Sequence, residues 1–283
     1  MDDFTDNTHR SLQNLVSVNA WFSQDLDDER RFTLHADVSF GEERLGGGSS
    51  SKVVFKLSVR RCDIVFVPPT VAPFRIDPSS VHSPRPLNPK SVIMKETRKS
   101  KIGGRTKLSL NSLKPSASVE LEGSLEREKM TETSSEKLES MYHEVWKRIN
   151  GNHAWTVDGR QLDNQRLAGP VFDASNQPRL TLVDRRDPET KKRDAKRNLE
   201  PVASIRVSCL REDIDIYDIA YKDQADQAVF ETKRFKEEQL LTAREVLKEA
   251  LVREGLRAGD ISSNPFAEMV LCDVSITIID ESI

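Results

Sequence analysis

Two short segments concentrate positive charge in a chain whose formal net charge is only −3. Residues 185–197 contain seven basic and three acidic residues, and residues 95–107 contain six basic residues and one acidic residue. Clustered lysine and arginine side chains bind the phosphates of a nucleic acid, with an affinity that falls steeply as salt is added. The pattern therefore predicts phosphate or nucleic-acid contacts at Arg185, Arg186, Lys191, Lys192, Arg193, Lys196 and Arg197 in the first segment and at Arg98, Lys99 and Lys101 in the second.

Ordinary solvated loops explain the same charges, because runs of charge in polar segments usually face water. Neither segment alternates its cations with the aromatic residues on which nucleic-acid bases stack. The salt dependence of binding separates the two interpretations, since only phosphate contacts are lost steeply as salt rises.

Known catalytic and metal-binding motifs are absent from the sequence. The five histidines are scattered and form no HxH or HExxH arrangement that would converge on a metal ion. The chain also has no GxSxG elbow, no phosphate-binding P-loop and no GxGxxG motif. The sequence therefore predicts no catalytic residue, no metal ion, no cofactor and no small-molecule ligand, and it favours a non-catalytic role over an enzymatic one.

The distribution of apolar residues predicts a mostly β protein. Residues 32–40 are apolar at every second position, and residues 55–66 contain a second alternating run, as expected of strands with one buried face. We expect these two strands to pair as a hairpin. Residues 106–126 alternate in the same way, and residues 269–278 predict a last strand with a bulge near Cys272.

Residues 134–157 fit either a helix or a hairpin. Apolar residues within 138–149 follow a helical stripe. In the alternative, the Asn-Gly pair at 150–151 makes a two-residue turn and places Trp146 opposite Trp155. We favour the hairpin, because this turn signal is specific and the facing tryptophans stabilise a strand pair.

One long helix is predicted towards the C-terminal end. Residues 223–254 contain no glycine or proline, and Gly255 ends the pattern. The stripe of Leu240, Leu247 and Leu251 covers the sheet of its own chain in the simpler interpretation. In the alternative, these leucines form a face for a partner helix.

The chain contains a gapless internal similarity. Residues 55–66 align on residues 205–216 with four identities, and residues 31–34 align on residues 179–182. This similarity predicts a duplication in which each half supplies one hairpin unit. The two halves are residues 30–130 and 150–283.

The aligned segments share an arginine and an aspartate. Arg61 and Asp63 in the first half correspond to Arg211 and Asp213 in the second. Because each pair occupies alternate positions of one predicted strand face, we expect each to form an ion pair at the strand rim.

A single domain of residues 1–283 accommodates both halves. Seven of the thirteen prolines lie in residues 68–89, which predicts an extended connector because proline cannot donate to a strand ladder. The three cysteines are far apart and form no CxxC pair, which favours a reducing compartment such as the cytoplasm. No apolar run reaches the length of a membrane-spanning helix, so a membrane partner is not expected.

These patterns together predict an α+β, mostly β protein with sandwich-like antiparallel sheets, two related hairpin units and one long C-terminal helix. We expect a non-catalytic intracellular binding or assembly module that contacts a protein partner or a second copy of itself. Nucleic-acid backbone binding through the basic loops 185–197 and 95–107 is the first alternative. Pore formation by an amphipathic hairpin of residues 106–126 is the second.

Overall fold

The computed structural model of the protein describes residues 12–47, 51–70, 73–84, 142–160, 165–197, 199–221 and 233–279. This part of the chain is mostly β, with antiparallel strands and two helices, which confirms the predicted fold class at that level. The helices are α1 (Pro188–Lys196) and α2 (Lys233–Arg253). The strands are β1 (Val16–Gln24), β2 (Arg31–Phe40), β3 (Glu43–Gly46), β4 (Val53–Val59), β5 (Arg61–Val67), β6 (Phe74–Ile76), β7 (His143–Ile149), β8 (Asn152–Asp158), β9 (Gly169–Phe172), β10 (Leu180–Asp184), β11 (Val202–Leu210), β12 (Ile214–Tyr221) and β13 (Glu268–Thr277).

The strands form three antiparallel sheets. The first has the order β1-β2-β10-β6, and β9 also pairs with β2. The second has the order β13-β11-β5-β8-β7, and the third has the order β12-β4-β3. Buried side chains from all three sheets and from α2 belong to one contiguous hydrophobic core. The sheets therefore depend on one another for burial of their apolar faces.

The chain crosses between two sheets at Arg60. In β4 the buried alternation runs through Phe55 and Leu57, whereas in β5 it runs through Ile64 and Phe66, so the buried positions change from odd to even. The reverse crossing, from β11 to β12, passes through a 3₁₀ turn that ends at Asp213. The two crossings lie side by side, because the N–H of Arg60 donates to the carbonyl oxygen of Asp213 at 2.7 Å.

The predicted pairing of residues 32–40 with 55–66 is wrong. β2 pairs with β1, β9 and β10, whereas β4 pairs with β3 and β12. The matching hairpin of the second half is also wrong, because β10 pairs with β2 and β6, and β11 pairs with β5 and β13. The bend is the physical reason: residues 55–66 and residues 205–216 each belong to two strands in two different sheets, so neither run can pair along its length with one neighbour.

The segments that the internal similarity aligns lie against each other. β2 pairs with β10 so that Thr33 is opposite Thr181, β5 pairs with β11, and β4 pairs with β12. The strands of the two halves are therefore interleaved in the sheets. The duplication itself stays a prediction.

The hairpin favoured within residues 134–157 is confirmed where the structure describes it. Asn150 and Gly151 have φ angles of 50° and 83°, the left-handed conformations that a two-residue hairpin turn requires. Trp146 lies directly opposite Trp155 in the register of β7 and β8. Residues 134–141 of the same prediction lie outside the described residues.

Helix α2 packs on the third sheet, where it contacts β12, β4 and β3. Its last turn is followed by Gly255, whose φ of 74° is typical of the residue that ends a helix. The sequence predicted one helix, but the structure contains a second helix, α1, in a segment that was predicted to be a loop. Within the described residues, neither helix combines the length and the apolar character needed to cross a membrane.

The last strand follows its prediction, whereas the extended connector of residues 68–89 stays a prediction. Val207 and Ser208 of β11 pair with Cys272 and Val270 of β13, respectively. Leu271 of β13 lies between these two partners and is therefore the extra residue of a bulge. The bulge predicted near Cys272 is therefore confirmed. The described part of the connector adds β6, a short strand at the edge of the first sheet.

A buried ion pair joins the first sheet to the second. The side chain of Arg179, just before β10, is 0% exposed, and that of Glu144 on β7 is 8% exposed. The Nη1 atom of Arg179 lies 2.6 Å from Oε1 of Glu144, and its guanidinium stacks 3.3 Å from the ring centre of Phe172. Burial raises the pKa of Glu144 and lowers the pKa of Arg179, so the charge of each group would be costly at this place without the other.

Replacing Glu144 with glutamine is expected to lower the free energy of unfolding by about 3 kcal/mol, because it leaves the buried charge of Arg179 without a counter-ion. Urea titration followed by circular dichroism measures this loss. The control is Glu249→Gln, which removes an exposed acid from α2 and should change stability by less than about 0.5 kcal/mol. Equal stabilities of the two variants would show that the ion pair does not hold the sheets together.

Candidate phosphate-binding surface

The basic segment 185–197 is mainly a helix, not the loop predicted from its polar composition. The carboxylate of Asp187 accepts a hydrogen bond from the N–H of Thr190 at 2.9 Å and so caps the N-terminus of α1. Pro188 occupies the start of the helix, where the missing N–H has no partner to lose. The capping pattern Asp-Pro-Glu-Thr is visible in the sequence and signals a helix, which the count of charges alone does not indicate.

Two of the predicted binding residues neutralise a buried carboxylate instead. The side chain of Asp184 is 0% exposed, and Arg186 donates to it with Nε at 3.1 Å and Nη2 at 2.8 Å. The Nζ atom of Lys191 lies 3.3 Å from the same carboxylate, and Arg186 also reaches Asp194 at 3.6 Å. These contacts tie α1 to the end of β10. Arg186 and Lys191 therefore support the helix rather than offering charge to a ligand.

The other five predicted cations of the segment are exposed. With about 3.6 residues per helical turn, Lys192 and Lys196 fall on the side of α1 opposite the anchoring Asp194, whereas Arg193 lies to one side and reaches Asp194 at 3.8 Å. Arg75 of β6 is also exposed and pairs with Val183, but it lies on the other face of the sheet from Asp184, which holds α1. We call the exposed cations of the segment the basic surface: Arg185, Lys192, Arg193, Lys196 and Arg197.

Glu189 is the acid that lies among these cations without a capping or anchoring contact among the described residues. Glu189 is exposed on α1, three and four residues before Lys192 and Arg193. No residue of α1 is aromatic or buried, and its only apolar residues are Pro188 and Ala195. The surface can therefore neutralise negative charge, but it has no ring for stacking and no apolar side chain for insertion into a lipid layer.

The other predicted binding residues belong to the second basic segment, 95–107, and to the predicted partner-helix face of α2. Arg98, Lys99 and Lys101 lie outside the described residues. Leu247 and Leu251 belong to the hydrophobic core of the chain, with exposures of 1% and 0%, so a partner helix cannot reach them while the protein is folded. Leu240, which is partly exposed, lines a surface cleft beside α2.

The two arginine–aspartate pairs of the internal similarity do not form among the described residues. Asp63 instead pairs with Lys147 at 2.8 Å, and Asp213 faces Arg160 at 3.7 Å. The expectation failed for the second pair because Arg211 and Asp213 lie in the 3₁₀ turn between β11 and β12, not on one strand face.

Within the described ranges, no group of three or more His, Cys, Asp or Glu residues is arranged to hold a metal ion. Comparison of the chain with protein-family models, with curated proteins and with solved structures found no match.

Changing Asp184 to asparagine is expected to lower the free energy of unfolding by about 3 kcal/mol, because Arg186 and Lys191 would then be held together without their shared counter-ion. Chemical denaturation measures the loss. Glu200→Gln, at an exposed acid a few residues after α1, is the matched control and should be nearly neutral. An undiminished stability of Asp184→Asn would contradict the anchoring role given to this carboxylate.

Proposed function

We propose that this protein is a non-catalytic cytoplasmic binding module whose basic surface binds the phosphate backbone of a nucleic acid. The observation that carries the proposal is the division of the cations of 185–197 into two sets. Arg186 and Lys191 fix α1 on the buried Asp184, while the other cations of the segment are exposed, with Lys192 and Lys196 on the opposite side of the helix. A rigid support lowers the entropy that these side chains lose on binding.

The composition of the surface favours a phosphate backbone over other anionic partners. Base recognition in single strands uses aromatic stacking, and α1 has no aromatic residue. Binding to an anionic membrane by a helix requires an apolar face, which α1 also lacks. The basic surface can therefore bind only by neutralising phosphate charge, and this mode of binding gives an affinity that does not depend on nucleic-acid sequence.

Neutralising Lys192, Arg193 and Lys196 together to glutamine is expected to weaken binding of a labelled poly(dT) oligonucleotide of about 20 nucleotides by tenfold or more. Fluorescence anisotropy measures the dissociation constant across a series of salt concentrations. Since each phosphate contact to a single strand contributes about −0.7 to the slope of log affinity against log salt, the variant should lower the magnitude of that slope by about 2.

The control removes the same charge elsewhere. Arg234, Arg253 and Arg257 are exposed on α2 or just after it, and their change to glutamine lowers the net charge equally. Equal weakening by both triple variants would mean that binding follows net charge, and the proposed surface would be wrong. Binding of the unmodified protein to vesicles of anionic lipid, without binding to the oligonucleotide, would also overturn the proposal.

Glu189 supplies a test in the opposite direction. Because this exposed acid lies among the cations of α1, Glu189→Gln is expected to tighten oligonucleotide binding by about threefold at low salt. The same anisotropy titration measures the change, with Glu249→Gln on α2 as the matched control. Unchanged or weaker binding by Glu189→Gln would place the nucleic acid away from this side of the helix.

Assembly through protein contacts stays a prediction and has less support. The exposed large apolar residues belong to separate elements, among them Leu26 between β1 and β2, Val252 on α2 and Phe266 before β13. The mass of the purified protein by light scattering tests self-association. The sandwich-like packing and the duplication are likewise proposals, and the pore-forming hairpin of residues 106–126 lies outside the described residues.

A further inference from the structure

A cleft of about 200 Å³ opens where α2 crosses the two strand bends. Three arginines from three elements line it: Arg60 from the bend between β4 and β5, Arg211 from the bend between β11 and β12, and Arg244 from α2. The packing of α2 on the third sheet brings these residues together, although they are distant in the sequence. The cleft lies on α2 and is distinct from the basic surface of α1.

One of the three arginines already has a carboxylate partner. The Nη2 atom of Arg60 donates to Asp215 at 3.0 Å. Asp215 also accepts two hydrogen bonds from Arg166, at 3.0 and 2.7 Å. This carboxylate is therefore shared between two guanidinium groups, and its charge is not free to neutralise the others.

The other two arginines have no carboxylate within 4.0 Å among the described residues. Arg244 donates only to the carbonyl oxygen of Ser262, at 3.3 Å. The Nε atom of Arg211 is buried without a hydrogen-bond partner in this part of the chain. Burial and the nearby charge of Arg211 lower the pKa of Arg244. Two like charges are thus held near each other on the wall of a partly enclosed cleft.

This arrangement is unfavourable without a counter-ion, since partly buried like charges repel each other and lose hydration. Guanidinium groups donate several hydrogen bonds in a fixed plane that matches phosphate and carboxylate oxygens. The exposed Glu212 is the remaining acid at the cleft, and it forms no ion pair with the three arginines among the described residues. An anion placed between Arg211 and Arg244 would supply the missing charge.

The other residues that line the cleft indicate that the anion has an apolar group. Ile216 and Leu240, which are both partly exposed, supply apolar surface beside the arginines. Inorganic phosphate alone would leave this surface in water, whereas a ligand with a short apolar group would cover it. The volume is below the range usual for drug-sized ligands, so the ligand must be small.

We propose that this cleft is a binding site for a small organic anion, with its phosphate or carboxylate between Arg211 and Arg244 and its apolar portion against Ile216 and Leu240. The site does not depend on the nucleic-acid proposal, because its residues come from other elements. A failure of either proposal leaves the other unaffected.

The test uses the full chain and three probes: inorganic phosphate, phenyl phosphate and benzoate, each at constant ionic strength. Calorimetric titration measures affinity, and thermal unfolding measures stabilisation. Phenyl phosphate or benzoate is expected to bind more tightly than inorganic phosphate, because only these probes cover the apolar wall. Preference for phenyl phosphate identifies a phosphate site, and preference for benzoate identifies a carboxylate site.

Arg211→Gln and Arg244→Gln are each expected to lower the affinity for the tighter-binding probe by about tenfold. This is the effect of losing one charge-assisted hydrogen bond. Arg253→Gln, an exposed arginine on the same helix, is the matched control and should bind normally. Arg244→Lys keeps the charge and should retain part of the affinity. In the absence of ligand at low salt, Arg244→Gln should unfold at a higher temperature than the unmodified protein, because it removes the repulsion.

Two results would overturn the proposal. One is the absence of saturable binding by all three probes. The other is binding that Arg211→Gln, Arg244→Gln and Arg253→Gln weaken equally. If either glutamine variant fails to fold, Arg244→Lys together with the comparison of probes on the unmodified protein still decides the question.

Discussion

The two crossings between the second and third sheets are the constraint on which the described structure depends. β4 continues into β5 at Arg60, and β11 continues into β12 through the turn that ends at Asp213, with a backbone hydrogen bond joining the bends. Because each crossing commits one run of chain to two sheets, the sheets share one core and cannot form separately. The same bends place Arg60 and Arg211 beside α2, so the geometry that closes the core also builds the arginine cleft.

Charge in this protein has two physical roles, and burial separates them. Asp184 and Glu144 are carboxylates in low-dielectric surroundings, and each binds arginine closely because an unpaired charge there would be costly. The cations recruited by these carboxylates are part of the fold. The cations that no buried carboxylate recruits remain available to solvent and ligands, on the exposed side of α1 and on the wall of the cleft.

Much of the local structure followed from short-range patterns. The Asn-Gly pair at 150–151 predicted a tight turn, and the alternation of residues 32–40 predicted a strand, because turn conformation and side-chain alternation are local properties. β1 was missed although Val16, Val18 and Ala20 alternate in the same way. The change of buried positions from odd to even across Arg60 was also present in the sequence, and it was the signal for a bend where a single long strand was expected.

The sequence by itself determined the mostly β character and the segment where positive charge gathers. Only the tertiary structure decided which strands are neighbours, which cations are neutralised and which arginines share a cleft. The reason is that partner choice depends on burial and on contacts between distant segments, such as Arg75 beside Val183 and Arg244 near Arg211. Composition reports how many charges a segment carries, but only packing determines which of them have lost water and which have found a counter-ion.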